Sequence, residues 1–261
     1  MSSPTTLDPA VYPGCPSTVE QALARGRVLT RPRWGLPDIA YTLGGAVVLS
    51  IVGVVLALIA QEFLGLGFAW SLLIGLVTPW FALAGWPLLV TAWRGNGPRI
   101  DLGLRLTWSD VGWGVLGGLV ALIVSGLVAA LLSVIVGDFD SAAGEVAQEI
   151  SASGPLVALI IFAFLVAVGA PIVEEIAFRG MTYNALAKKG LHPAWVIAIS
   201  ALIFAVFHLE PTRLPILLIS GTVFGVLRWF TKGLGAPIVA HAVNNAPGAV
   251  FLLFADSLPT A

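Results

Sequence analysis

The chain has 261 residues, of which 58% are apolar and only 10% are Asp, Glu, Lys or Arg. A soluble domain carries about 25% charged residues, so this composition excludes an ordinary soluble protein and indicates a membrane protein. The net charge of −1 provides no overall basic field, which argues against nucleic acid as a partner.

The N-terminal segment, residues 1–36, is polar and proline-containing, and it lacks the apolar core of a signal peptide. We expect it to form a cytosolic N-terminal tail. It contains Cys15, the one cysteine of the chain, which has no second cysteine with which to form a disulfide or a metal motif.

The remainder of the chain contains seven stretches without a formal charge: 39–61, 63–93, 111–137, 150–173, 190–209, 214–227 and 233–255. A membrane-spanning helix needs about 20 apolar residues, and six of these stretches are long enough. The sixth in order is short, but Trp229 and Phe230 extend it if Arg228 snorkels to the interface. The pattern predicts an all-α, polytopic transmembrane helix bundle of about seven spans, with a range of six to eight.

The basic residues predict the orientation of these spans. Twelve of the thirteen Lys and Arg residues fall in connections on one side, which the positive-inside rule assigns to the cytoplasm. We therefore expect an integral protein of a bacterial plasma membrane, with a cytoplasmic N-terminus. Its predicted parts after the tail are three N-terminal spans over 37–137, an acidic outer loop over 138–154 and a C-terminal core over 155–261.

Ionisable residues inside the apolar stretches are the most informative feature of the C-terminal core. A charge deep in a bilayer costs at least about 2.5 kcal/mol, so such residues usually pair, face a cavity or do chemistry. Glu175 and Arg179 are four residues apart on one helical face, which predicts an ion pair. Glu174 lies about 100° around the helix and has no local cation.

Two further polar groups follow in later apolar stretches. Phe204 and His208 close the fifth stretch, and His241 and Asn245 have the i,i+4 spacing that stacks an imidazole and a carboxamide on one helical face. Singly, these groups have structural explanations: charges at a helix end, an interfacial histidine, or an interhelical hydrogen bond. Together with Glu174 they are a set of groups able to activate water and stabilise an oxyanion.

Three segments, EEIAFR, FAVFH and HAVNN, resemble in sequence order the EExxxR, FxxxH and HxxxN motifs of the CPBP intramembrane proteases. This family, also called Abi, includes the CAAX prenyl endopeptidases and bacteriocin-immunity proteins. The resemblance covers about residues 155 to 250 and implies a catalytic helical core. The activity that it implies is a glutamate-dependent endopeptidase, which hydrolyses a peptide bond near or within the bilayer.

The resemblance also implies a role for each motif residue. Glu174 is the expected general base that activates water, and His208 is expected to hold and polarise that water. His241 and Asn245 are expected to form an oxyanion hole for the tetrahedral intermediate. The expected structural and orienting residues are Glu175, Arg179 and Phe204.

The cofactor requirement stays open at this stage between none and zinc. The family is named a metalloprotease family, and Glu174, His208 and His241 are possible zinc ligands that leave one position for water. No HExxH helix is present to require zinc. The amide of Asn245 suits an oxyanion better than zinc, which favours metal-independent activation.

The same features leave two alternatives to a protease and indicate which partners the protein would have. A non-catalytic membrane scaffold or immunity-type partner of the same fold remains an alternative. A proton-coupled transporter is a third, although the chain has no obvious repeated pair of broken helices. The expected partners are the lipid bilayer and a hydrophobic or lipidated peptide or protein substrate, which the sequence does not identify.

One geometric condition must hold for the candidate residues to meet. Counting along the spans places Glu174 near the cytosolic end of one span and His208 near the outer end of the next. The two approach mid-depth if the fourth helix continues past Arg179 toward Lys188 and the fifth begins at Pro193, a favoured first helical position. We expect both.

Overall fold

The computed structural model describes Asp8 and residues 11–254 of the chain. That part contains helices and no strand: α1 (Pro16–Ala24), α2 (Leu36–Leu64), α3 (Phe68–Arg94), α4 (Pro98–Asp101), α5 (Trp108–Val136), α6 (Ala142–Ser153), α7 (Leu156–Ala187), α8 (Pro193–Phe207), α9 (Leu214–Thr231) and α10 (Gly235–Phe254).

The predicted all-α polytopic bundle is confirmed, because each of the seven charge-free stretches forms one of the seven longer apolar helices. Five of them, α2, α3, α5, α7 and α9, are long and apolar enough to cross a membrane. The other two are α8, with 15 residues, and α10, with 20. The chain is therefore an integral membrane protein of about seven spans.

The segment predicted as an outer loop, 138–154, is mostly helical instead. Ser141 begins α6, because its hydroxyl accepts a hydrogen bond from the Gly144 N–H at 3.0 Å. Ala147 and Ile150 on this helix are buried against Phe162 of α7 and the start of α3. A count of charges did not detect this amphipathic pattern. The position of the segment outside the cell stays a prediction.

The helix that carries Glu174 has the length that the site requires. α7 is a 32-residue helix, and α8 begins at Pro193, so both expected extensions are confirmed. Glu174 thus lies just past the middle of its helix. Two segments of α7, Leu165–Gly169 and Ile176–Thr182, have π-helical hydrogen bonding on either side of Glu174. Such turns are rare in proteins, and those that do occur often lie at functional sites.

Glycines bring the helices that carry the candidate residues into close contact. A Cβ atom at Gly114 of α5 would lie 2.5 Å from the Cβ of Val239 of α10, and one at Gly118 would lie 2.7 Å from the carbonyl oxygen of Ala240. Only glycine permits this approach, as the small-xxx-small spacing predicts. The contact holds α10, and therefore His241, against the rest of the bundle.

Four segments carry the twelve basic residues that are predicted to share one side of the membrane: the N-terminal tail, 94–105, 179–189 and 228–232. These segments pack together at one end of the bundle, which agrees with that prediction. Three hydrogen bonds link them: Asn96 Nδ2 to the Thr30 carbonyl at 2.7 Å, Lys188 Nζ to the Pro32 carbonyl at 3.1 Å and Arg105 Nη2 to the Thr231 carbonyl at 2.9 Å. We call this end the basic face. Its assignment to the cytoplasm stays a prediction.

Candidate active site

Glu174 presents a carboxylate oxygen that lacks a hydrogen-bond partner. Its Oε2 is buried and accepts no hydrogen bond, although the side chain as a whole is 20% exposed. Buried polar atoms in proteins almost always have a partner, so the unpartnered Oε2 atoms of Glu174 and of its neighbour Glu175 both need an explanation. Two imidazole nitrogens, from the end of α8 and from α10, lie 3.7 and 3.8 Å from this oxygen.

The first imidazole belongs to His208, which follows the last residue of α8. Its Nδ1 lies 2.7 Å from the Phe204 carbonyl, and because a carbonyl only accepts, Nδ1 carries the hydrogen. The opposite nitrogen, Nε2, lies 3.7 Å from Glu174 Oε2. The next residue, Leu209, has a left-handed φ of 57°, which turns the chain sharply away from α8 directly after the histidine.

The second imidazole belongs to His241 of α10. Its Nδ1 lies 2.9 Å from Glu175 Oε1, and its Nε2 lies 3.8 Å from Glu174 Oε2. The ring stacks on Phe224 of α9, with centroids 4.7 Å apart and planes inclined by 24°. His241 is therefore held by Glu175 and by Phe224, and its Nε2 faces Glu174.

The predicted ion pair between Glu175 and Arg179 is confirmed, with 2.8 Å between Glu175 Oε1 and Arg179 Nη1 and no exposure of either side chain. Arg179 also donates from Nη2 to the Gly221 carbonyl at 2.9 Å. Its guanidinium carbon lies 4.6 Å from the Phe204 ring centroid and 5.4 Å from that of Phe224. The pair therefore links α7, α8, α9 and, through His241, α10.

Asn245 makes no hydrogen bond with Glu174, His208 or His241 among the residues that the structure describes; its bonds go elsewhere. Its Nδ2 donates to the Val166 carbonyl at 3.1 Å, in the first π-helical turn of α7. Its Oδ1 accepts a hydrogen bond of 3.3 Å from Asn244. One of its two amide hydrogens is thus engaged with α7, and its predicted role in an oxyanion hole stays a prediction.

Sequence reasoning missed two residues that shape the site. Phe224 supports both His241 and Arg179, and Gly221 accepts a hydrogen bond from Arg179. Both lie on α9, within the charge-free stretch 214–227, where the sequence offers no candidate catalytic group. The only available signal was the Gly221-xxx-Gly225 spacing, which predicts a close helix contact but does not identify its partner.

The donor set at Glu174, His208 and His241 has the chemistry of a zinc site. Each histidine has its Nδ1 held by an oxygen, as metal-ligating histidines usually do. Among the residues that the structure describes, however, no three or more His, Cys, Asp or Glu side chains are grouped so that they could hold a metal ion. The zinc requirement therefore stays a prediction, and no step is derived through a metal ion.

The geometry suits a bound water instead. Separations of 3.7 and 3.8 Å are too long for direct hydrogen bonds between Glu174 and the histidines. Polar atoms at such separations are commonly joined through water. Each of the two separations has the length at which one water molecule bridges a carboxylate oxygen and an imidazole nitrogen. The arrangement therefore suits a base and two imidazoles that share water once it enters the site.

Comparisons with known proteins agree with the motifs. Residues 156–247 match the family model described as type II CAAX prenyl endopeptidase Rce1-like, and this segment includes all four candidate catalytic residues. The chain is 34% identical over 99 residues to the membrane-embedded CAAX protease MroQ of Staphylococcus aureus (strain USA300). That match spans 36% of this chain and 40% of the relative's length. No solved structure matches the chain. The resemblance to the CAAX endopeptidase family is thereby confirmed for the segment that carries the site.

Proposed function

We propose that this protein is an intramembrane endopeptidase of the CAAX protease type, in which Glu174 activates water for hydrolysis of a peptide bond. The observation that carries the proposal is the buried, unpartnered Oε2 of Glu174, which faces Nε2 of both His208 and His241. A free carboxylate beside two oriented imidazoles is suited to proton transfer, whereas a purely structural glutamate at this depth would be paired.

The first chemical step is the attack of water on the scissile carbonyl carbon. As the water oxygen bonds to that carbon, Glu174 Oε2 accepts one proton from the water. His208 has its hydrogen on Nδ1, so its Nε2 lone pair accepts a hydrogen bond from the second O–H of the water, which stays intact and orients the water. The result is a tetrahedral intermediate with a negative oxygen and a protonated Glu174.

The second step is collapse of the intermediate. Glu175 fixes the orientation of the His241 ring through its contact with Nδ1, so that an Nε2–H of this ring donates to the oxyanion. Asn245 supplies a second donor through the amide hydrogen that does not contact Val166. The C–N bond then breaks, and the proton on Glu174 passes to the leaving amine, which regenerates the carboxylate.

The proposed substrate is a hydrophobic or lipidated peptide whose scissile bond lies near the membrane. Two observations support this class: Glu174 lies within a membrane-spanning helix, and the similar proteins are described as CAAX prenyl endopeptidases and CAAX proteases. A lipid group on such a peptide would remain in the bilayer while the peptide bond enters the bundle.

Cleavage in proteoliposomes tests the proposal. The probes are an internally quenched, farnesylated peptide that ends in a CAAX motif and an unprenylated hydrophobic peptide, with products identified by mass spectrometry. We expect Glu174→Gln to lower kcat by about 10²- to 10⁴-fold, the usual contribution of a general base, without altering thermal unfolding.

The matched control is Glu210→Gln, which removes a nearby carboxylate that is paired with Arg213 at 2.6 Å. This control should cleave normally. Turnover by Glu174→Gln would contradict the proposal. If Glu174→Gln and His208→Ala both restore function in cells, the protein is a scaffold and not an enzyme.

Chelator treatment and a zinc measurement in the same assay distinguish activation of water by Glu174 alone from activation by a zinc ion. We expect turnover to survive treatment with a membrane-compatible chelator, and the purified protein to contain well under one zinc ion per chain. Stoichiometric zinc that leaves together with activity would replace the metal-free scheme with one in which Glu174, His208 and His241 are ligands.

A further inference from the structure

A cavity lies at the basic face of the bundle, away from Glu174. Its volume is about 460 Å³, and its walls come from the N-terminal tail, the turn between α7 and α8, and the end of α9. The lining residues that matter here are Tyr12, Tyr183, Leu191, Arg228, Trp229 and Lys232. None of the residues that line it is acidic.

Arg228, at one wall of this cavity, is a buried cation without a carboxylate. Only 2% of it is exposed, and its hydrogen bonds go to neutral oxygens, including the Arg179 carbonyl at 3.1 Å and Asn184 Oδ1 at 2.8 Å. No salt bridge to an acidic residue is found for it among the described residues. The other fully buried arginine, Arg179, has Glu175 as its partner, as buried charges generally require.

Arg228 also retains donor capacity. Its hydrogen bonds to the residues that the structure describes come from Nε and Nη2, which leaves the two hydrogens of Nη1 for another acceptor. Lys232 adds a second cation to the same cavity. Burial, and then the positive charge of Arg228, lower the pKa of Lys232 from its ordinary value. Because Arg228 and Lys232 repel each other across this cavity, the binding of an anion between them is favourable.

The rim of the cavity indicates which anion would enter. Leu191 is 39% exposed and Trp229 is 42% exposed, so apolar side chains surround the entrance at the end of a membrane helix. Lys232 Nζ lies 5.1 Å from the Trp229 ring centroid, an arrangement typical of residues at a membrane interface. A soluble phosphate would gain nothing from these apolar contacts, whereas a phospholipid would use both its headgroup and its acyl chains.

We propose that this cavity binds the phosphate headgroup of an anionic phospholipid from the leaflet on the basic face. Arg228 Nη1 and Lys232 Nζ donate to the phosphate oxygens, and the acyl chains lie along Leu191 and Trp229. The basic face is the side predicted to be cytoplasmic, where bacterial and eukaryotic membranes expose anionic lipid. The bound lipid would then connect the N-terminal tail to α9, since both form walls of the cavity.

Lipid retention by the purified protein tests this proposal. The full chain is placed in neutral detergent micelles that contain equal amounts of phosphatidylglycerol and phosphatidylcholine, and native mass spectrometry counts the bound lipids. We expect preferential retention of one phosphatidylglycerol. Lys232→Gln should reduce its retention about fivefold, the effect of removing one basic contact near a membrane surface.

Two further variants keep the test decisive. Leu191→Glu, which puts a negative charge at the cavity rim, should reduce retention by a similar factor even if Lys232→Gln does not fold. Lys189→Gln removes an exposed cation of the same face that does not line the cavity, and it should retain lipid normally.

Three results would overturn the proposal. They are equal retention of both lipids, an equal loss of lipid in Lys189→Gln and Lys232→Gln, and complete displacement of phosphatidylglycerol by excess inorganic phosphate. The last result would mean that the cavity binds a soluble anion and not a lipid.

Discussion

Glu174 and Glu175 are adjacent in the chain, yet their surroundings differ sharply. Glu175 is completely buried, and its Oε1 contacts both Arg179 and His241. Glu174 points to another face of the same helix, where its Oε2 has no hydrogen-bond partner and faces two imidazole nitrogens across a gap. Adjacent residues on a helix differ by about 100° in direction, so one glutamate joins the helix interfaces while its neighbour reaches the candidate water site.

The comparison separates two kinds of contribution to one site. The Glu175–Arg179 pair links helices, so its loss should appear mainly as lost stability. Glu174 Oε2 makes no hydrogen bond and only long contacts of 3.7 and 3.8 Å with the two histidines, so its loss should appear mainly as lost chemistry. Variants that keep the shape of each side chain can separate the two.

The largest effect on stability should come from Glu175→Gln. This change leaves Arg179 as an uncompensated charge inside the bundle, and breaking a buried pair in this way costs about 3–5 kcal/mol. We expect a clear loss of stability in a denaturing-detergent titration, together with low activity, because His241 also loses the partner of its Nδ1.

Two controls belong with this measurement. Glu174→Gln should unfold at the same detergent fraction as the parent protein. The double variant Glu175→Gln/Arg179→Met should regain part of the lost stability, because it removes the unpaired charge. If Glu174→Gln and Glu175→Gln destabilise the protein equally, the distinction between the two glutamates is wrong.

Asn245→Ala should have the next largest effect, and it sharpens the comparison within α10. If Asn245 donates to the oxyanion, kcat should fall by about 10²- to 10³-fold with little change in KM. The lost hydrogen bond to Val166 should cost only about 1 kcal/mol of stability. Asn244→Ala is the matched control, and it should retain most of the activity. A change in stability alone would assign Asn245 a purely structural role.

Phe224→Leu should have the smallest effect. It removes the ring that stacks on His241 and lies near Arg179, and such aromatic contacts contribute about 0.5–1.5 kcal/mol beyond their buried area. We expect a modest loss of stability and a several-fold loss of kcat, since His241 would be held less firmly. An equal loss for Phe207→Leu, whose ring contacts Phe178 and no histidine in the described ring contacts, would argue against a specific effect.

Much of the fold could be predicted because bilayer physics acts on local composition. A span needs a long apolar stretch wherever it lies, so counting residues between charges located all seven longer helices. The same count failed at α6, since a short amphipathic helix carries charges on one face while Ala147 and Ile150 are buried on the other. Its boundary depends on packing against α3 and α7, which no local count contains.

The site was only partly predictable for a related reason. The i,i+4 rule predicted the Glu175–Arg179 pair, because both residues lie on one helix. The contact of Glu175 with His241, the stacking of Phe224 and the bond from Asn245 to Val166 each join different helices. Those contacts depend on how helices pack and rotate, which glycine spacing indicates only in general terms.

The sequence by itself determined that this is a polytopic helical membrane protein and which rare polar residues lie within its spans, since both follow from the cost of placing charge in hydrocarbon. Only the tertiary structure decided which of those residues meet. It directs the two Nε2 atoms at Glu174 and places Glu175 in contact with both Arg179 and His241. It also leaves Arg228 without a carboxylate partner among the described residues. The physical reason is that contacts between helices depend on their relative rotation and depth, which are set by packing throughout the bundle and not by any single segment.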